Sequence, residues 1–220
     1  MDDDLPDAIP AATLILMRPA AAGGPPEILM LERAETMAFA AGALVFPGGR
    51  IDPEDEAMAE RFPALPDAAA RIAAIRETIE ETGVAPALRP EPDAAALRGA
   101  MAAGRPFASL LDEMGLSLDL DSLTPFARWC PNFREARRFD TLFYLAEAPA
   151  GGVGQHSADE TESVHTFWAS AGQVLAEIES GRAKAIFPTR RNLERLARFD
   201  SLAEARSDAG RQDTSCICRA

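Results

Sequence analysis

Glu77, Glu80 and Glu81 are the residues of this chain best suited to chemistry. They stand in the run Arg76-Glu77-Thr78-Ile79-Glu80-Glu81-Thr82-Gly83-Val84. In a helix, positions i, i+3 and i+4 are neighbours, so this spacing puts three carboxylates on one face. Carboxylates that converge are electrostatically expensive unless something positive sits among them. Hard divalent cations take oxygen ligands, and Mg2+ is typically held by a few carboxylates plus substrate phosphates. Arg76 lies one turn before Glu80 and can orient it through a charge-assisted bond. Such a site suits displacement at phosphorus. The alternative meaning of an acidic run is a solvated helix face.

The element that positions these residues is predicted over residues 67–82. Asp67 follows Pro66 as a plausible N-cap, and Gly83 is a plausible stop just past the end. Ile72, Ile75 and Ile79 fall on the face opposite the glutamates, as an amphipathic helix requires. Upstream, Pro47-Gly48-Gly49 reads by itself as an ordinary turn. Its place before the glutamate helix raises the functional reading. Arg134, Arg137 and Arg138 lie together at the entry to a strand. Guanidinium forks match phosphate oxygens, so a diphosphate or 3′-phosphate clamp is one meaning and surface ion pairing the other. Arg33 has the same two readings. Phe167 and Trp168 read as core residues.

The order Gly-Gly, acidic residue, then Arg-Glu-x-x-Glu-Glu-x-Gly-Val resembles the signature of the Nudix hydrolases. The resemblance covers roughly residues 11–200. It implies an α/β/α sandwich around a mixed β-sheet, an α/β (α+β) fold with a helical insert. It also implies that Glu77, Glu80 and Glu81 bind Mg2+ or Mn2+, that Gly49 supplies a backbone carbonyl near the metal, and that Arg76 orients a glutamate. Three features depart from the common pattern. Asp55 stands where Glu is usual, 20 residues (56–75) separate it from Arg76 where seven are usual, and Thr78 replaces a large aliphatic. The long gap is similar to one branch, the acyl-coenzyme A diphosphatase-like proteins related to the mammalian peroxisomal enzyme. Arg33, the approach Gly42-Ala43-Leu44-Val45-Phe46-Pro47-Gly48-Gly49, the stretch Arg137-Arg138-Phe139-Asp140-Thr141 and the late Phe187-Pro188-Thr189 look similar to that branch too.

The expected activity is therefore metal-dependent hydrolysis of a nucleoside diphosphate joined to another group, with coenzyme A or an acyl-coenzyme A as preferred substrate. The catalytic residues are Glu77, Glu81, Arg76 and a general base. Glu160 and Glu162, in Asp159-Glu160-Thr161-Glu162, are the candidates for that base, and Glu162 is carried forward. Arg33, Arg137 and Arg138 are the substrate-binding set. Asp55 is expected to support Arg76 or loop amides rather than to bind metal. The alternatives are an ADP-ribose or nucleotide-sugar diphosphatase and, in another class, a binding or regulatory module without turnover. Neither a G-x-S-x-G nucleophile motif nor a P-loop is present.

Composition bounds these readings. A chain of 220 residues, 47% hydrophobic and 26% charged, suits one domain with a real core. That domain is placed at 11–206, after a flexible start (1–10), with an insert at 53–66 and an extra helical region at 92–114. Two short helices joined through Gly104-Arg105-Pro106 make up that region and are candidates to wall the substrate cleft. A net charge of −13 opposes nucleic acid as a partner but not a small phosphate substrate. No apolar run reaches the ~18–20 residues of a membrane span. The acidic start lacks the basic region of a secretory signal, which favours the cytoplasm. Cys130, Cys216 and Cys218 are three, suggest no disulfide framework, and read as free thiols. A homodimer is left open.

Strands are predicted at 11–18 and 27–33, paired as a hairpin, then at 43–46, 124–130, 138–146 and 162–168. A glycine-rich loop spans 148–157. A helix follows at 170–180. A final amphipathic helix is expected at 189–206 with Leu193, Leu196, Phe199 and Leu202 as its apolar face. The tail 207–220 is polar and expected to be disordered.

Overall fold

The strands β1 (Ile9–Arg18) and β2 (Glu27–Glu32) form the predicted hairpin, with Met17 opposite Ile28 and Arg18 opposite Glu27. Arg18 Nε donates to Glu27 Oε2 at 2.8 Å across it. The structure, a computed structural model, describes residues 5–33, 42–131, 138–150 and 165–211. Beyond Met17 the two strands part. Into the fork come β3 (Ala43–Val45), paired to β2, and β4 (Gly48–Arg50), paired to β1 through Ala11↔Arg50, Ala12↔Gly49 and Thr13↔Gly48. The chain crosses from one to the other at Phe46-Pro47, where Leu14 N donates to the Pro47 carbonyl at 2.9 Å. Gly48-Gly49, which taken alone reads as an ordinary turn, is thus held in the ladder of the central strand.

From β4 the chain enters α1 (Pro53–Ala59) and then α2 (Ala68–Thr82), the glutamate helix. A two-stranded ribbon of β5 (Leu88–Arg89) and β6 (Ser117–Leu118) encloses α3 (Ala94–Ala102) and α4 (Phe107–Met114). The main sheet continues with β7 (Thr124–Trp129), β8 (Phe139–Glu147) and β9 (His165–Ser170). Then follow α5 (Ala171–Glu179), β10 (Lys184–Ala185), α6 (Phe187–Leu196) and α7 (Leu202–Ala209). Among the described residues the main sheet has eight strands in the order β10-β3-β2-β1-β8-β7, with β4 beside β1 and β9 beside β2. Strands β1 and β8 run parallel and the other β1 pairings are antiparallel, so the sheet is mixed.

Alternation along the strands sends side chains to two cores. Ala12, Leu14, Leu16, Leu29 and Tyr144 face α2, together with Leu97 and Met101 of α3 and Phe107, Leu110 and Leu111 of α4. Ile15, Met17, Met30, Phe143 and Leu145 face α5, α6 and α7. The fold is a mixed sheet with helices on both faces, as expected. Trp168 packs on the first core and Phe167 on the second, both partly buried.

Several expectations are corrected. The helix expected at 189–206 is two helices, broken at 197–201. Leu193 and Leu196 in α6 and Leu202 at the start of α7 all reach the second core, so the apolar spacing persists through the break. The break has a local cause: the Ser201 hydroxyl accepts Glu204 N at 3.2 Å and Glu204 Oε2 accepts Asp200 N at 2.9 Å, which starts a new helix. The tail expected to be disordered from Ser207 instead begins inside α7. There Ala209 is buried and Asp208 Oδ2 accepts Arg195 Nε at 2.9 Å. Finally, α2 is not two-faced. Besides Ile72, Ile75 and Ile79, it buries Ala70, Arg71, Ala73, Ala74, Arg76 and Thr78, because sheet, α1 and α3 surround it. No helix among the described residues is long and apolar enough to cross a membrane.

Candidate metal-binding active site

The site is the last two turns of α2 against β4. The helix begins at Asp67, as predicted, but the Asp67 side chain does not cap it. Asp67 Oδ1 accepts Arg71 Nε at 2.9 Å and Oδ2 accepts the Tyr144 hydroxyl at 3.0 Å. Arg71 Nη1 also donates to the Leu120 and Leu123 carbonyls at 2.8 and 2.6 Å. These bonds tie the base of α2 to β8 and the segment before β7. At the other end Gly83 is left-handed with φ 70°, and its N–H reaches the Ile79 carbonyl. Thr78, which departs from the large aliphatic usual at this place in the pattern, is fully buried and gives its hydroxyl proton to the Ala74 carbonyl at 2.6 Å. A buried hydroxyl is tolerated once it is bonded in this way.

Arg76 is the hub. Its Nε and Nη2 donate to Asp55 Oδ1 and Oδ2 at 2.9 and 2.8 Å, a two-point pair. Nη1 donates to Glu77 Oε1 at 3.0 Å and Glu80 Oε2 at 3.1 Å, and Nη2 to the Arg50 carbonyl at 3.1 Å. Burial alone would lower the pKa of this guanidinium. The Asp55 hydrogen bond and the charges of Glu77, Asp55 and Glu80 outweigh it and raise the pKa. Asp55 is 1% exposed, and its Oδ2 accepts the Asp52 N–H at 2.9 Å as well. Its contacts are Arg76 and a loop amide, the two partners expected of it.

Gly49 allows close approach. A Cβ placed there would lie 2.4 Å from the Glu77 carboxylate, so that carboxylate rests directly on the bare backbone. At Gly48 a Cβ would fall 2.4 Å from the Ala12 carbonyl oxygen, so the ladder contact with β1 also excludes a side chain. Gly48 N donates to Glu81 Oε2 at 3.0 Å. Burial pushes the Glu81 carboxyl up to about 7. The Gly48 amide and the charge of Arg33 oppose that shift, and Glu77 and Glu80 reinforce it. Glu77 is raised first by burial and then by Glu80, against the pull of Arg76. Glu80 is raised by burial, again against Arg76.

The predicted site residues divide as follows. Glu77, Glu80, Glu81, Arg76 and Gly49 come together at this turn, and Arg33, just past the end of β2, joins them through its charge on Glu81. Arg33 Nε is buried and has no hydrogen-bond partner among the described residues. Arg138 Nε is buried and unpartnered in the same sense, at the start of β8, where the Arg138 carbonyl accepts Ile9 N at 2.7 Å. Glu160, Glu162, Arg134 and Arg137 lie outside the described residues, as does most of the loop expected at 148–157. Two contributors were missed: Asp52, whose Oδ2 lies 3.6 Å from Arg76 Nη2, and Arg98 of α3, whose Nε donates to the Glu80 carbonyl at 2.9 Å. Asp52 had a signal, since Asp52-Pro53 is a helix-start pattern. Arg98 had none.

Nudix hydrolases generally use divalent metal ions. Among the described residues no three acidic, histidine or cysteine side chains already stand as a metal-holding group. The reason is visible in the bonds: Arg76 draws Glu77 and Glu80 towards itself, while the Gly48 amide draws Glu81. The donor set nevertheless fits a hard cation. It is oxygen only, it lacks any soft ligand, and its carboxylates are raised in pKa by crowding and burial, a cost that a bound cation relieves.

No family model matches the chain. It is 30% identical over 124 residues to a Caenorhabditis elegans protein provisionally named nudix hydrolase 7, a match that spans 54% of this chain and 38% of that protein. A looser likeness, TM-score 0.49 at 17% identity, is to the NUDIX domain of Shewanella oneidensis NrtR complexed with ADP ribose, covering 88% of each chain. Likeness at that level says nothing about substrate here. The crystal structure of a NUDIX hydrolase from Alicyclobacillus acidocaldarius superposes with TM-score 0.79 at 31% identity, over 93% of this chain and 97% of that one. With the glutamate turn, the glycine pair and the arginine hub in place on a fold shared along nearly its whole length, this chain belongs to the Nudix hydrolases.

Proposed function

We propose that this hydrolase cleaves the diphosphate linkage of coenzyme A or an acyl-coenzyme A. Glu77, Glu80, Glu81 and the Gly49 carbonyl would hold Mg2+ or Mn2+. Such a cation neutralises phosphate oxygens, lowers the pKa of water and steadies the leaving oxygen. Arg76, clamped by Asp55, keeps Glu77 and Glu80 in register. Glu162 is our candidate for accepting the proton of the attacking water.

The observation that carries the reading is Arg33. Its charge is felt by Glu81, yet its Nε is buried and unpartnered among the described residues. An unbonded buried donor is costly, and a phosphate oxygen would satisfy it. Arg138 offers a second such donor, and with Arg137 supports recognition of the extra 3′-phosphate of coenzyme A.

The test is kcat/KM on coenzyme A, dephospho-coenzyme A and ADP-ribose side by side. Coenzyme A should give 3′,5′-ADP and 4′-phosphopantetheine. Dephospho-coenzyme A should be poorer by roughly 10–150-fold, the worth of one charged hydrogen bond at ~1.5–3 kcal/mol. Arg137→Ala or Arg138→Ala should narrow that ratio. ADP-ribose turned over best, with no effect of the 3′-phosphate, would overturn the substrate and leave the family.

A further inference from the structure

The negative pole of α2 is overloaded. A helix C-terminus carries partial negative charge and favours cations. Here it bears Glu77, Glu80 and Glu81, and the last turn of α2 has no basic residue of its own. The last four carbonyls of a helix also lack partners within it. Local partners serve some carbonyls near this end: Thr82 Oγ1 donates to the Thr78 carbonyl at 2.6 Å, and Gly83 N to the Ile79 carbonyl at 2.9 Å. The Glu80 carbonyl is served from outside, by Arg98 Nε at 2.9 Å across 18 residues of sequence.

The placement of Arg98 is constrained. It lies on α3, whose start is set by Asp93 accepting Ala96 N at 3.0 Å and whose neighbour Leu97 is fully buried in the core that holds α2. The Arg98 stem runs over the left-handed cap residue, with Cδ 3.4 Å from where a Gly83 Cβ would stand. The charges that pull these carboxyls back down are Arg76 at Glu77 and Glu80 and Arg33 at Glu81, whereas Arg98 donates to a main-chain carbonyl. It meets the glutamate turn through the backbone.

We propose that Arg98 is a positioning residue for the metal site: from a helix outside the glutamate motif, it holds the Glu80 carbonyl and so fixes the turn that spaces Glu77, Glu80 and Glu81. This rests on the metal-site reading above. It also gives α3 a defined task, the support of the glutamate turn.

The test is Mn2+ binding to the metal-free protein, by titration of the free ion, in wild type, Glu81→Gln, Arg98→Met, Arg98→Leu and Arg98→Lys. Methionine keeps the stem over Gly83 and removes the donor. Arg98→Met should weaken Mn2+ binding roughly 10-fold, in line with other residues that orient metal ligands. It should raise the metal concentration for half-maximal turnover equally and leave substrate KM at saturating metal unchanged. Arg98→Lys, which still donates, should recover most of the loss. Should Arg98→Met fail to fold, Arg98→Leu, which also lacks a donor, carries the same expectation. Wild-type affinity in a folded Arg98→Met or Arg98→Leu, or a change confined to melting temperature, would overturn the proposal and leave the metal site standing. No Mn2+ binding by wild type, or none lost in Glu81→Gln, would overturn the metal site and this proposal with it.

Discussion

Neutralising Glu81 should stabilise the metal-free protein while destroying its function. In the folded chain the Glu81 carboxyl is pushed up to about 7 from an ordinary 4.5. The sign follows from proton counting. Below pH 4.5 the carboxyl is protonated in both folded and unfolded chains and costs nothing. Between 4.5 and 7 the unfolded chain ionises first, the folded state binds more protons, and stability falls as pH rises. Above 7 the whole penalty is present. A difference of about 2.5 in pKa, at roughly 1.4 kcal/mol for each tenfold change in proton affinity, gives about 3–4 kcal/mol. Glu81 is half-buried as a residue, so water reaching it makes this a ceiling. For a chain of this length the ceiling corresponds to roughly 6–16 °C in Tm. Glutamine keeps an oxygen that can accept the Gly48 N–H, so the variant should fold unchanged. In a chelator, Glu81→Gln should melt several degrees above wild type at pH 8, with the gap closing towards pH 5. Added Mg2+ or Mn2+ should raise the Tm of wild type and not of the variant. Equal Tm values at pH 8, or a variant with the same pH dependence as wild type, would refute the argument.

Other outcomes follow from the same geometry. Asp55→Asn should lower turnover less than Glu81→Gln does in a direct kinetic comparison, since Asp55 spends its oxygens on Arg76 and the Asp52 amide; the reverse ranking would make it a ligand. It should also lower unfolding free energy in denaturant titration, towards the ~3–5 kcal/mol of a broken buried pair. Gly49→Ala should cut turnover and metal affinity by at least tenfold, read by kinetics and Mn2+ titration, because its methyl group would displace the Glu77 carboxylate. Asp208→Ala should cost about 1–3 kcal/mol in chemical denaturation, by leaving the Arg195 guanidinium short of a charged partner, with turnover unchanged because it sits on the opposite face of the sheet.

Much of the site was legible because it is local. The placing of Glu77, Glu80 and Glu81 together depends only on the helical repeat, and the ends of α2 depend on Pro66-Asp67 and on a glycine free to turn left-handed. The hairpin, α3 and α4 were legible for the same reason. The C-terminal pair of helices was misjudged because its apolar residues face one core on both sides of the break. The spacing therefore continues where the backbone does not, and the new start is made by the Ser201 and Glu204 side chains.

What the sequence by itself determined is therefore which side chains share a turn. Only the tertiary structure decided what those side chains meet. Asp55 reaches Arg76 across 21 residues, Gly48 reaches Glu81 across 33, and Arg98 reaches Glu80 across 18. Each of these contacts exists because the Gly48–Arg50 strand, α1 and α3 pack around a helix buried on nearly every side. A hydrophobic pattern records that a position is inside, but not which neighbour is there, since burial is non-directional while hydrogen bonds and ion pairs are not. The raised carboxyl of Glu81 has the same origin: its residue type and spacing put it beside other acids, and only the packed walls around it turn that proximity into a proton held near neutral pH.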